Sequence, residues 1–110
     1  MSSPETIPRQ SPTGCRVAIL GAGRMAREHA RAFQSIPGIR VAGIYSRTRT
    51  RAEALAQELG IDAVYDSVDD LYRGTQADLA VVAVSELAMK ETGIRCLQYP
   101  WFILLEKPAG

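Results

Sequence analysis

Residues 17–26 read Val17-Ala18-Ile19-Leu20-Gly21-Ala22-Gly23-Arg24-Met25-Ala26. Four consecutive apolar residues ending at a glycine suit a strand buried on both faces, as in a parallel sheet. From Arg24 the period changes. Met25, His29, Ala30 and Phe33 share one helical stripe, and Arg24, Arg27, Glu28 and Arg31 fall mostly elsewhere. Ile36-Pro37-Gly38 stops that helix near Ser35. The stretch therefore reads as strand, glycine turn and helix.

The same alternation runs outward to the end of the chain. Residues 40–45 (RVAGIY) predict a second strand. Residues 50–59 predict a second helix, with Ala52, Leu55, Ala56 and Leu59 on its apolar face and Gly60 as its stop. Residues 63–65 form a brief third strand. Ser67 caps a short helix over 68–72, with Asp70 at capping-box distance. Residues 79–84 (LAVVAV) predict a fourth buried strand, and Ser85 caps a helix running to about Leu97. After Tyr99-Pro100 the fifth strand covers 101–105 (WFILL). Strands alternating with helices over short connections imply an α/β fold with a parallel sheet covered on both faces. Right-handed crossovers leave few topologies, and a Rossmann-like doubly wound sheet of order 3-2-1-4-5 is the expected one.

Composition bounds the rest. The chain has 110 residues, 46% hydrophobic and 23% charged, with a formal net charge of +1. That is one domain, burying roughly two thirds of its unfolded surface. The balanced charge gives no footing for nucleic acid or an anionic membrane. No apolar run approaches the ~18 residues of a membrane span, and the N-terminus lacks the apolar core of a signal peptide. A cytoplasmic location is the default expectation. Residues 1–14 are rich in Ser, Pro and Thr and read as a flexible tail, leaving 15–110 as the folded domain. Cys15 and Cys96 are far apart, and His29 has no metal-spaced partner, so no metal site is expected.

Chemistry enters at the glycine turn. Gly21-Ala22-Gly23-Arg24-Met25-Ala26 is G-x-G-x-x-A between a strand and a helix, the placement of a dinucleotide fingerprint. Gly21 permits the tight turn, Gly23 lets a pyrophosphate approach the backbone, and Ala26 lets the helix pack close to the strand. Arg24 and Met25 complete the loop, and the helix N-terminus presents N–H groups to the phosphates. At the end of the second strand an NAD-binding fold usually carries Asp or Glu for the ribose 2′-hydroxyl. Here the sequence is Tyr45-Ser46-Arg47-Thr48-Arg49-Thr50-Arg51, with no carboxylate. Ser46 can donate to a phosphate, Arg47 offers a bidentate fork, and Arg51 adds charge or stacks on adenine. This set suits the 2′-phosphate of NADP better than the free hydroxyl of NAD. Arg49 reads as plain helix surface.

Glu106-Lys107-Pro108 follows the fifth strand, at the carboxyl edge where ligands of open α/β sheets bind. Taken with VAILGAGRMAREHARAF, VAGIYSRTRTRAEALAQELGI, DLAVVAV and LLEKPAG, the chain resembles, from about Arg16 to Gly110, the N-terminal domain of the glucose–fructose oxidoreductase, inositol dehydrogenase and rhizopine-catabolism (Gfo/Idh/MocA) family. The resemblance implies hydride transfer between a nicotinamide cofactor and a sugar- or polyol-like substrate. It implies a catalytic or orienting role for Lys107 beside nicotinamide and substrate, with Glu106 and Pro108 shaping the loop, Glu106 among the cofactor-binding residues and the bond before Pro108 a candidate for cis geometry. Val84 and Ser85 take cofactor contacts by position. The family often has Thr-Pro and then a His in this segment, where this chain has Ser85-Glu86-Leu87-Ala88-Met89-Lys90.

Members of that family continue into a second domain that supplies the substrate pocket. The expectation for these 110 residues is therefore cofactor binding with little turnover, in a sheet cut short of the family's sixth strand. On that expectation Trp101, Phe102, Ile103, Leu104 and Leu105 form a partly uncovered edge that invites self-association. The competing reading is a dinucleotide-sensing or partner-binding module without catalysis of its own. His29, Tyr45 and Tyr65 are expected to pack rather than to bind.

Overall fold

In the computed structural model residues 14–106 are described. Their order is β1 (Cys15–Leu20), α1 (Arg24–Gln34), β2 (Ile39–Tyr45), α2 (Arg49–Leu59), β3 (Val64–Tyr65), α3 (Val68–Thr75), β4 (Leu79–Val82), α4 (Glu86–Cys96) and β5 (Phe102–Leu105). The five strands form one parallel sheet in the order β3-β2-β1-β4-β5. The expected α/β class and strand order are those observed. The expected tail falls almost wholly outside the described residues, as do Lys107 and Pro108.

Central position explains the composition of β1, which pairs with β2 on one side and β4 on the other. Val17, Ala18, Ile19 and Leu20 are all fully buried, two on each face. Val17 and Ile19 join Val41, Ile44 and Val81 beneath the small and apolar stripes of α1 and α2 (Ala26, Ala30, Ala52, Leu55, Ala56). Ala18 and Leu20 join Ala80 and Val82 on the other face, with Val68 and Leu71 of α3, Cys96 of α4, and Trp101. Each face is thus a separate apolar layer, the arrangement that stabilises a doubly wound sheet.

Local boundaries differ from expectation where tertiary contacts override the sequence pattern. The third helix runs on to Thr75, three residues past the expected Tyr72. Thr75 is buried there, its hydroxyl donating to the Leu71 carbonyl at 2.7 Å and accepting from the Ala77 amide at 3.2 Å, so no polar atom is stranded. β4 ends at Val82, and after one further ladder bond from the Ala83 N–H to the Leu20 carbonyl the chain passes into the loop above it. The fifth strand starts at Phe102, and the expectation of an uncovered Trp101 is corrected. Trp101 is only 5% exposed. Its indole N–H donates to the Cys96 carbonyl at 2.8 Å, and its ring packs edge-on against Tyr72 and Tyr99. The uncovered residues of the strand are Phe102, Leu104 and Leu105. Tyr45 and Tyr65 pack against the second apolar layer, as expected.

Candidate functional site

The strand order reverses between β1 and β4, whose following helices lie on opposite faces of the sheet. A crevice opens there beyond the carboxyl ends of the strands, the usual ligand position of an open α/β sheet. It has a volume of about 220 Å³ and is walled by three loops: Gly21–Gly23 after β1, Ser46 and Arg47 after β2, and Ala83–Ser85 after β4, with Arg51 and Ala88 from the adjoining helices. The loops are braced by the backbone. Gly21 N–H donates to the Tyr45 carbonyl at 2.7 Å, and Ala83 N–H to the Leu20 carbonyl at 2.8 Å.

The two glycines differ in what requires them. Gly21 has φ +120°, and a β-carbon on it would lie 2.2 Å from the Ala83 carbonyl oxygen. Its identity is dictated by the fold itself. Gly23 has φ −91°, and a β-carbon there would meet nothing within 4 Å. That space is open at the N-cap of α1, where Gly23 lines the crevice. Arg27 N–H is the first to bond back into the helix, to the Gly23 carbonyl at 3.0 Å, so the preceding amides have no intrahelical acceptor.

Capping separates the helices in the same way. α3 and α4 are capped by Ser67 and Ser85, whose hydroxyls accept from the Asp70 and Ala88 amides. α1 and α2 have neither a side-chain cap nor an acidic residue in the first turn. These two begin at the crevice, where an anion can supply what a cap would.

Arginine pairing adds a third contrast. Arg24 pairs with Glu28, Arg27 with Glu58, Arg40 with Asp62, and Arg73 with Asp70. Arg49 is held by Glu53 and Asp66, whose hydrogen bonds keep its guanidinium above the ordinary range. Arg47 and Arg51 form no ion pair with a described residue, and both line the crevice. Ser46 stands beside them. Its oxygen accepts from the Thr48 amide at 3.1 Å, which leaves its hydroxyl proton free to donate. An open backbone cradle, two uncapped helix starts, two uncommitted guanidiniums and a free hydroxyl fit a phosphate-rich ligand such as a dinucleotide.

Of the residues singled out from sequence, the crevice brings together Gly21, Gly23, Ser46, Arg47, Arg51, Val84 and Ser85. It does not include Arg24, Met25, Ala26 or Glu106. Arg24 lines a neighbouring groove of about 320 Å³ with Arg27, Arg51 and Glu58, and its side chain is 85% exposed. Met25 is half-buried. Ala26 is fully buried and acts by letting α1 approach the sheet. The Glu106 carboxylate is bonded to His29, a contact that no sequence pattern disclosed. Lys107 lies outside the described residues. Sequence reasoning missed Ala22, Ala83 and Ala88 as walls of the crevice. Their small size keeps the opening clear, but alanine in a loop or first helical turn carries no such signal by itself. Among the described residues no group of three metal-ligating side chains occurs, and no helix is long and apolar enough to cross a membrane.

A family model described as an oxidoreductase family with an NAD-binding Rossmann fold matches residues 15–110. Among curated proteins, the chain is 29% identical over 93 residues to glucose-6-phosphate 3-dehydrogenase of Bacillus subtilis (strain 168), covering 84% of this chain and 26% of that protein. It is also 29% identical over 97 residues to trans-1,2-dihydrobenzene-1,2-diol dehydrogenase of Mus musculus, covering 86% and 29%. Among solved structures, myo-inositol dehydrogenase from Lactobacillus casei, in complex with NAD(H) and myo-inositol, superposes with a TM-score of 0.77 at 27% identity, covering 86% of this chain and 29% of that one. The chain thus spans between a quarter and a third of the length of these relatives.

Proposed function

The chain belongs to the oxidoreductase family with an NAD-binding Rossmann fold, and from that premise we propose that residues 15–110 bind NADP in preference to NAD. The observation that carries the preference is the pair Arg47 and Arg51, which line the crevice without an ion pair to a described residue where an NAD-selective fold would carry a carboxylate. Arg47 offers its planar fork to the 2′-phosphate, Ser46 donates to the same group, and Arg51 adds charge at the start of α2. The amides at the start of α1 take the pyrophosphate over Gly23. Val84 and Ser85 border the ribose on the nicotinamide side. Arg24, Met25 and Ala26 contribute through the backbone of the same turn.

The activity proposed for the whole protein is hydride transfer to or from a sugar- or polyol-like alcohol or carbonyl. Bound nicotinamide supplies the hydride chemistry. The chain's part is to bind and orient that group, and Lys107 is proposed to hold or donate a proton at the substrate oxygen, with Glu106 shaping the turn before it. Support for the substrate class comes from relatives named for glucose 6-phosphate and myo-inositol. Residues that choose among such substrates are proposed to lie in sequence beyond these 110 residues. We also propose that copies of the chain associate through β5, because Phe102 is 80% and Leu105 51% exposed.

Titration with NADPH and NADH, read by nicotinamide fluorescence, tests the cofactor assignment. NADPH is expected to bind about tenfold to a hundredfold tighter, the worth of one to two charge-assisted hydrogen bonds. Arg47→Asp should abolish or invert that ratio. Equal affinities that the substitution leaves alone would overturn the preference, and binding of neither nucleotide would overturn the assignment itself.

A further inference from the structure

We infer that His29 is a positioning residue: from α1 it holds the Glu106 carboxylate and so fixes how the chain leaves β5 at the carboxyl edge of the sheet. This rests on the reading that a dinucleotide occupies the crevice at that edge. His29 Nε2 and Glu106 Oε1 are 3.0 Å apart, joining residues 77 positions apart in sequence. Their side chains are 23% and 31% exposed, whereas both partners of every arginine–carboxylate pair among the described residues are at least 45% exposed. The pair is therefore the best shielded of the set, and the least screened by solvent.

Glu106 is held twice. Its backbone N–H donates to the Val82 carbonyl at 2.9 Å, continuing the β4–β5 ladder one step past β5. Its side chain is held across the sheet edge by α1, the helix whose N-cap Gly23 borders the crevice. The Val82 carbonyl is also the last ladder position before Ala83, Val84 and Ser85, which wall the crevice. One imidazole thus links the phosphate-side helix to the far strand end.

Stability alone is a poor reason for such a pair. A half-buried polar pair of this kind gains little over an apolar contact, because desolvation offsets the attraction. Position gives a better one. Without its partner on α1, the Glu106 carboxylate would leave the end of the β4–β5 ladder without a side-chain anchor. An imidazole bearing a proton on Nε2 donates to the carboxylate and aims it toward α1.

The test compares NADPH with 2′-phospho-ADP-ribose, which keeps the adenosine and the phosphates but lacks nicotinamide, on the wild-type chain, His29→Ala and His29→Gln. His29→Ala should weaken NADPH about fivefold to tenfold, the value of one partly shielded charge-assisted hydrogen bond. The affinity for 2′-phospho-ADP-ribose should stay unchanged. His29→Gln, which retains an N–H donor, should restore NADPH binding. In the free protein, the Glu106 amide should exchange with solvent faster in His29→Ala than in wild type, while the Ala83 amide stays as it was. Equal weakening of both ligands would make His29 merely structural and overturn the inference, and so would no weakening of either. If the wild-type chain binds neither ligand, the cofactor reading fails. The Glu106 exchange rate then decides separately, and an unchanged rate overturns the positioning role.

Discussion

Gly21 and Gly23 stand two residues apart, and a sequence pattern treats them alike. The structure separates them by what a β-carbon would touch, the Ala83 carbonyl in one case and open space in the other. Gly21→Ala should destabilise the fold by about 2 kcal/mol or more, from the disfavoured backbone and the clash together. Thermal denaturation would register that as a Tm lowered by about 10 °C. Gly23→Ala should leave unfolding within about 1 kcal/mol of wild type, the scale of an altered N-cap. Its NADPH affinity should nevertheless fall at least about tenfold, about 1.4 kcal/mol, because the added methyl occupies the phosphate approach. A Gly23→Ala protein that binds normally would remove the pyrophosphate from this turn. Arginines divide in the same way. The spacing of Arg47, Arg49 and Arg51 was legible in sequence, as was the expectation that Arg49 is ordinary surface. That Arg47 and Arg51 remain uncommitted depends on where Glu53, Asp66 and Glu58 fall in space.

At the scale of elements, capping is the clearest link between sequence and structure. Ser67 and Ser85 were readable as caps, and each accepts an amide three residues on. Ser67→Ala should cost about 1 kcal/mol, measured as a lower denaturant midpoint with an unchanged slope. The same change at Ser85 would mix stability with ligand binding, because Ser85 also lines the crevice. Element ends were less legible. The extension of α3 to Thr75 depends on a buried hydroxyl satisfied within its own turn. The start of β5 depends on an indole bonded to the end of α4. Neither partnership leaves a mark in local periodicity.

For the whole molecule, two predictions follow from burial. Cys96 is fully buried, and desolvation pushes its thiol from 9.0 to about 11. Between those values the unfolded chain loses the thiol proton and the folded chain keeps it, so stability is fully present below pH 9 and falls as pH rises toward 11. The slope from this one group is at most about 1.4 kcal/mol per pH unit. Cys96→Ala should flatten the alkaline limb of a stability–pH profile measured by chemical denaturation. A limb of unchanged slope would place the titration elsewhere. The second prediction concerns the outer edge of the sheet. β5 pairs only with β4 among the described residues, and Phe102 and Leu105 lie exposed on it. Phe102→Lys should shift the chain toward monomer in sedimentation velocity at concentrations where wild type associates. A wild-type chain that stays monomeric throughout would dispose of the edge as a contact between copies.

The sequence by itself determined the class, the strand order and the place of the crevice. Buried parallel strands require continuous apolar runs, helices require their own period, and glycine turns between them leave a narrow choice of topology. Only the tertiary structure decided which polar groups are spoken for. It tied Arg24 and Arg49 into pairs and left Arg47 and Arg51 without an ion pair to any described residue. It buried Trp101 against α3 and α4, and joined His29 to a carboxylate 77 residues away. Those outcomes follow from distances across the sheet rather than along the chain, and short-range patterns carry no record of them.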